Sequence, residues 1–302
     1  MMAMLFFGSP ALIPAYAPLD AAQSEIFGRY GGTFTEVFGI RTHYFEYGDP
    51  ASKEVVLFVH GYGGTGMEAA SIAPSLTAAG YRILAPDWPG AGLSQSPDDY
   101  SMQFLMEWME GFRAVMGLDR FTLAGHSFGG YISTKYSVDY PQRVERLILI
   151  DPAGFREELG SFFLGVAQSD FLVNLGAALY TPWVHSLINA MNTFKDPARA
   201  PKDIMDYAAV SMGTSEGRKG LIAISRRIVA EAPDLDCLES ITVPTLLFWA
   251  VQDKVLPYEW STKFLESIPA ETLFHSVNDC GHAPHLEKPQ ETAGAIISFL
   301  KP

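Results

Sequence analysis

The sequence predicts an α/β fold: a mostly parallel sheet flanked by helices, with a helical insertion interrupting the chain. Three observations carry this. After Pro50, short apolar runs alternate with stretches of helical spacing, the rhythm of a parallel sheet covered on both faces. The run VVLFV, Val55 to Val59, is continuously apolar, as expected of a strand buried on both sides. The rhythm then stops between Pro152 and about Leu238, where aromatic residues crowd stretches of helical character, and resumes afterwards.

Taken in order, TFTEVF and IRTHYFEY flank Gly39 and predict an antiparallel hairpin over 33–47. The spacing predicts a helix over 67–79, a strand over 82–87 and a helix over 102–116. In the last of these Leu105, Trp108, Met109 and Phe112 recur on one face. FTLAG predicts a strand over 121–125, followed by a helix over 128–140 and a strand over 144–151. VPTLLFWA and ETLFHSV are further strands, and a last helix is expected over 290–300. The division is therefore an N-terminal apolar arm over 1–32, a core over 33–151 and 239–302, and a helical cap over 152–238.

Composition narrows the function. The chain has 302 residues, 48% of them hydrophobic, enough for a sizeable core. Its formal net charge of -13 gives no electrostatic footprint for nucleic acid and disfavours strongly anionic substrates. Two distant cysteines, Cys237 and Cys280, make no disulfide framework and are expected as free thiols. The first seventeen residues carry no charge. Without Lys or Arg ahead of its apolar run this segment departs from a secretory signal, and Pro10 and Pro14 disfavour a span. It reads as an arm packed on the domain, with a cleaved signal or a membrane-touching segment as the alternatives. A cytoplasmic location is expected.

The stretch AGHSFGGY, Ala124 to Tyr131, places Ser127 between a strand and a helix in G-x-S-x-G order. A turn that sharp strains the serine backbone, and Gly125 and Gly129 remove side chains that would collide there. The hydroxyl is then exposed at a helix N-terminus, where backbone N–H groups favour developing negative charge. The alternative is a serine that serves only the turn.

A serine hydroxyl needs a base to attack. Of seven histidines, His282 lies in the glycine-preceded loop DCGHAPH after the last strand and is the favoured base. His285, three residues on, reads as a solvated or capping residue. His60 is expected to order the loop after its strand, and His126 to point away from the serine. The imidazole needs a carboxylate to orient it. Asp253, after TLLFWA, is favoured over Asp151, which follows RLILI and would cap the entry to the cap segment. The order Ser, Asp, His is that of α/β-hydrolases.

Two backbone N–H groups are expected to form an oxyanion hole, from Phe128 and from Tyr62 in HGYGG. This glycine-rich loop lacks the G-x-x-x-x-G-K-[ST] of a phosphate loop. No cofactor and no metal is called for.

HGYGG, DWPGAGLS, GHSFGG, QDKVLP and CGHAPHLEKPQE, in this order, make the chain resemble the α/β-hydrolase superfamily from about residue 33 to the end. The likeness implies an eight-stranded, mostly parallel sheet, a cap inserted after the sixth strand, and Ser127, Asp253 and His282 as the triad. Serine at the nucleophile position separates the chain from epoxide hydrolases and haloalkane dehalogenases, which carry aspartate there. The tail resembles carboxylesterases and monoacylglycerol lipases, and also the carbon–carbon hydrolases of ring-fission products. The latter usually carry G-x-G-P-G where this chain reads GYGGTG. Proline iminopeptidases usually carry G-G-S-W-G around the nucleophile, which is absent here. The expected activity is hydrolysis of a small-molecule ester with an uncharged, hydrophobic, short-to-medium acyl or aryl group. Carbon–carbon hydrolysis, perhydrolysis and ligand binding with little turnover are the alternatives.

Overall fold

The computed structural model describes residues 19–155, 184, 187, 191–230 and 236–301. The uncharged first seventeen residues, His185 and much of the expected cap lie outside the described residues.

Helix α1 (Leu19–Tyr30) precedes a hairpin of β1 (Thr33–Val37) and β2 (Ile40–Tyr47). Then follow β3 (Val55–Val59), α2 (Ala73–Ala78), β4 (Arg82–Pro86), α3 (Met102–Val115), β5 (Phe121–His126), α4 (Phe128–Asp139) and β6 (Val144–Ile150). Between β6 and β7 lie α5 (Lys202–Met212) and α6 (Ser215–Ala230). The chain closes with β7 (Thr245–Ala250), α7 (Trp260–Ser267), β8 (Thr272–Val277), α8 (Pro284–Glu287) and α9 (Pro289–Leu300).

The eight strands form one sheet in the order β1-β2-β4-β3-β5-β6-β7-β8. The first two pairs, β1–β2 and β2–β4, are antiparallel and the other five are parallel. Every residue of β3, β5 and β7 is buried, which is why these runs show no polar alternation. Their alternate side chains feed two cores. Leu57, Leu123 and Leu247 pack on one face with Leu105, Phe112 and Phe264 of α3 and α7. Val56, Phe58, Ala124 and Leu246 pack on the other with Leu76 and Ile296 of α2 and α9. Ser101 caps α3 by accepting the Phe104 N–H at 3.2 Å.

Two readings of the sequence need correction. The expected helix over 67–79 is a 3-10 turn, Gly66–Ser71, followed by the short α2. Pro74 explains the break, since it has no N–H to continue the preceding turn and suits the first turn of a new helix. Within the expected arm, Leu19–Tyr30 is helical; its apolar residues are too few and irregular to show a stripe.

The parallel topology brings the loops after β3, β5, β6, β7 and β8 to one edge of the sheet. The α5 and α6 helices close over this edge. Tyr207 of α5 donates its hydroxyl proton to the buried Asp87 carboxylate at 2.6 Å. Ser96 receives Glu216 of α6 through two hydrogen bonds, its N–H to the carboxylate at 2.8 Å and its hydroxyl to the Glu216 carbonyl at 2.9 Å.

Candidate active site

Ser127 sits between β5 and α4 with φ 54°, a left-handed backbone that a residue with a Cβ rarely adopts. The turn is held by its own amides: Ser127 N–H donates to the Ile150 carbonyl, and Gly130 N–H to the Ser127 carbonyl. A Cβ at Gly125 would overlap the Gly129 carbonyl oxygen and Ser133 Oγ; one at Gly129 would overlap the Val59 carbonyl. Glycine is therefore required at both positions for α4 to reach the sheet.

His282 Nε2 lies 2.8 Å from Ser127 Oγ, and its Nδ1 lies 2.7 Å from Asp253 Oδ2. A carboxylate only accepts, so Nδ1 carries the proton and the Nε2 lone pair faces the hydroxyl. The other Asp253 oxygen accepts the N–H groups of Val255 and Leu256 at 2.7 and 3.0 Å, which locks the carboxylate in place. The structure thus brings Ser127, His282 and Asp253 into one line, in which the imidazole can take the serine proton.

The rival carboxylate is placed differently. Asp151 is fully buried, and its Oδ1 accepts the Ala250 N–H at 2.8 Å. Its Oδ2 has no hydrogen-bond partner among the described residues. Burial, with the Asp253 charge added, pushes its pKa well above the usual carboxylate range.

Phe128 opens α4, where the first N–H groups of a helix have no intrahelical acceptor. The Tyr62 loop faces it: a Cβ at Gly61 would stand 3.1 Å from Ser127 Cβ. His60 orders this loop as expected. Trp88 N–H donates to its Nε2 at 3.2 Å, and its Nδ1 lies 2.8 Å from the Gly61 carbonyl. A cavity adjoins this corner, walled by Gly61, Tyr62, Trp88, Phe128, Met212, Leu221 and Ile224 among others. No Lys, Arg, Asp or Glu stands among the described residues that line it. His60, also in its wall, is held toward the neutral form because burial lowers its pKa.

Two buried networks were missed from the sequence. His285 is not a solvated residue. It is fully buried, with Nε2 3.1 Å from Glu68 Oε2, and the same oxygen lies 3.4 Å from His126 Nδ1. Burial pushes Glu68 up, but its contacts with His126 and His285 outweigh this and hold it below the usual range. The second network centres on Asp87, which receives His43 Nδ1 at 2.8 Å, Gly66 N–H at 2.7 Å and the Tyr207 hydroxyl. Asp87 lay inside the DWPGAGLS motif and could have been flagged; nothing in the sequence marked Glu68. Among the described residues two groups of three have ligand-type atoms within 4.8 Å of one another, Glu68, His126 and His285, and Asp151, Asp253 and His282. Both Cys237 and Cys280 are free.

A serine in a left-handed strand-to-helix turn, at the edge of a capped, mostly parallel eight-stranded sheet, is the arrangement of the α/β class of hydrolases. The chain belongs to the alpha/beta hydrolase fold family, whose model matches residues 54–289. It is 27% identical to a 2-hydroxy-6-oxo-6-(2'-aminophenyl)hexa-2,4-dienoic acid hydrolase of Metapseudomonas resinovorans, over 90% of this chain and 91% of that one. It is 29% identical to Lipase 3 of Moraxella sp. (strain TA144), over 83% of this chain and 78% of that one. A solved membrane phospholipase A, described as a bacterial virulence factor, superposes with a TM-score of 0.73 at 25% identity, covering 93% of this chain and 90% of that one. Among the described residues no helix is long and apolar enough to cross a membrane.

Proposed function

We propose that the protein hydrolyses uncharged carboxylic esters with a hydrophobic, short-to-medium acyl or aryl group, through an acyl-enzyme on Ser127. Ser127 Oγ attacks the ester carbonyl carbon while His282 Nε2 takes its proton, and Asp253 stabilises the imidazolium. The tetrahedral oxyanion rests on the N–H groups of Phe128 and Tyr62. The C–O bond to the alcohol breaks, and the alcohol leaves with the proton from His282. Water, deprotonated by His282, then attacks the acyl-enzyme and releases the acid with Ser127 restored.

The observation that carries this reading is the apolar cavity beside Phe128 and Tyr62, whose described lining holds no formal charge. The other reading is carbon–carbon hydrolysis, supported by the Metapseudomonas relative, whose named substrate is a dienoic acid. That acid would bring a carboxylate into a wall with no described cation to receive it, which favours the neutral ester.

The test is initial rate against p-nitrophenyl esters of increasing acyl length, wild type beside Ser127→Ala. The expected result is turnover that peaks at short-to-medium chains and falls by on the order of 10⁴–10⁶ in the variant. Turnover of a ring-fission dienoate with no ester hydrolysis would move the assignment to the carbon–carbon class. Binding of an ester without turnover would leave a receptor.

A further inference from the structure

We infer that Glu68, His126 and His285 form a buried positioning assembly beneath the nucleophile, holding the backbone of His282 and the Tyr62 loop at their working distance from Ser127. The inference rests on the hydrolytic reading of Ser127, His282 and Tyr62 given above.

His126 precedes the nucleophile and reaches the base. Its Nε2 lies 2.8 Å from the His282 carbonyl oxygen. A carbonyl only accepts, so Nε2 bears a proton and donates it. The His126 ring also lies 4.9 Å from the His282 ring and 4.4 Å from the His285 ring. One residue of the elbow therefore holds the loop of the base by both a hydrogen bond and ring contact.

Glu68 extends this hold to the loop after β3. Its Oε2 faces His285 Nε2 at 3.1 Å and His126 Nδ1 at 3.4 Å. A Cβ at Gly64 would overlap Glu68 Oε1, and one at Gly61 would stand 3.0 Å from His126 Nδ1. Glu68, His126 and His285 are 7%, 5% and 0% exposed, so water does not loosen the cluster. Three loops that are distant in sequence meet on it: the Tyr62 loop, the elbow and the His282 loop. None of its atoms lies on the proton path from Ser127 to Asp253, so its part is to place groups. A displacement of about 1 Å in a reacting group can lower a rate by about 10²-fold, which makes such a hold consequential.

The test uses His126→Phe, His126→Gln and Glu68→Gln in the full chain. The primary readout is the second-order rate of Ser127 labelling by a fluorophosphonate, with ester kcat and KM and the Tm measured alongside. Labelling needs the base and the N–H donors but no knowledge of the substrate. A wild type that labels but turns over no ester therefore counts against the ester reading alone. The expected result for His126→Phe is labelling and kcat lower by about 10- to 100-fold, with KM nearly unchanged. His126→Gln, which keeps an N–H close to the Nε2 position, should recover most of the loss, and Glu68→Gln should fall between the two. If His126→Phe does not fold, Glu68→Gln against His126→Gln decides. Labelling within twofold of wild type in both His126→Phe and Glu68→Gln overturns the inference. So does a loss in His126→Gln as deep as in His126→Phe and tracking the Tm. Stoichiometric metal in the purified protein, absent from Glu68→Gln, also overturns it, because the cluster would then be a metal site.

Discussion

The Tyr62 hydroxyl stands 2.6 Å from Ser225 Oγ, so the loop facing Ser127 is bonded directly to cap helix α6. The backbone of Tyr62 is the expected oxyanion donor, and its side chain reports where the cap sits. A cap displaced by substrate would therefore act on the N–H that stabilises the oxyanion. Tyr62→Phe removes the bond and leaves the N–H. A hydrogen bond of this kind contributes about 0.5–1.5 kcal/mol net. We expect kcat/KM on a medium-chain ester to fall about 2- to 10-fold; stopped-flow or steady-state rates on the purified variant would check it, and an unchanged value would mean that the bond carries no coupling.

The two carboxylates separate by substitution. Asp253→Asn would keep its oxygen on the Val255 and Leu256 N–H groups and turn its NH2 toward His282 Nδ1; Nδ1 must then accept and Nε2 carry the proton, so the rate should fall by on the order of 10⁴. Asp151→Asn keeps the acceptor for Ala250 N–H and should stay within about tenfold of wild type. Equal losses in the two variants would put both carboxylates on the catalytic path.

Asp151 also makes a stability prediction. Its folded pKa is raised, by burial first and the Asp253 charge second. The unfolded chain releases this proton near the ordinary carboxylate value, so the folded state loses stability relative to it as pH rises above that value. Asp151→Asn cannot ionise. Its Tm should match wild type near pH 4 and exceed it at pH 7 to 8, measured by thermal melts across that range.

His285 acts with the opposite sign. Burial, reinforced by the His126 charge, pushes its pKa down to about 4 from 6.5, against the pull of Glu68. The unfolded chain binds the proton first, so the stability tied to neutral His285 is complete above pH 6.5 and is lost as pH falls through 4. The magnitude is roughly 3 kcal/mol. The wild-type Tm should drop steeply between pH 6.5 and 4, and His285→Gln should flatten that drop. Parallel curves for the two proteins would place the acid sensitivity elsewhere.

Gly125→Ala tests the elbow. The added methyl meets the Gly129 carbonyl and Ser133 Oγ, with a backbone atom that cannot swing away. Overpacking of this kind costs about 1–3 kcal/mol, and α4 must move with Ser127. We expect a lower Tm together with a loss of fluorophosphonate labelling; a variant of normal stability and labelling rate would show that the turn has slack.

The site was legible wherever local chemistry dictates it. Ser127 is marked by the glycines at 125 and 129, because a strand-to-helix turn with φ 54° leaves no room for their side chains. The buried strand β3 is marked by a run without a polar residue, and β5 and β7 by runs that are mostly apolar. His282 is marked by its place after the last strand. Helix α1 was not marked, because its helical stripe is weak.

The sequence by itself determined the α/β class and the glycine-bounded turn at Ser127, since each follows from backbone sterics and apolar periodicity over a few residues. Only the tertiary structure decided which aspartate faces His282, that His285 is buried on Glu68, and that Tyr207 closes the cap onto Asp87. The bond from His285 to Glu68 joins residues 217 apart in the chain, and that from Tyr207 to Asp87 joins residues 120 apart. Such pairs carry no local pattern. They exist because parallel strands deliver distant loops to one edge, where a buried charge persists only beside a partner.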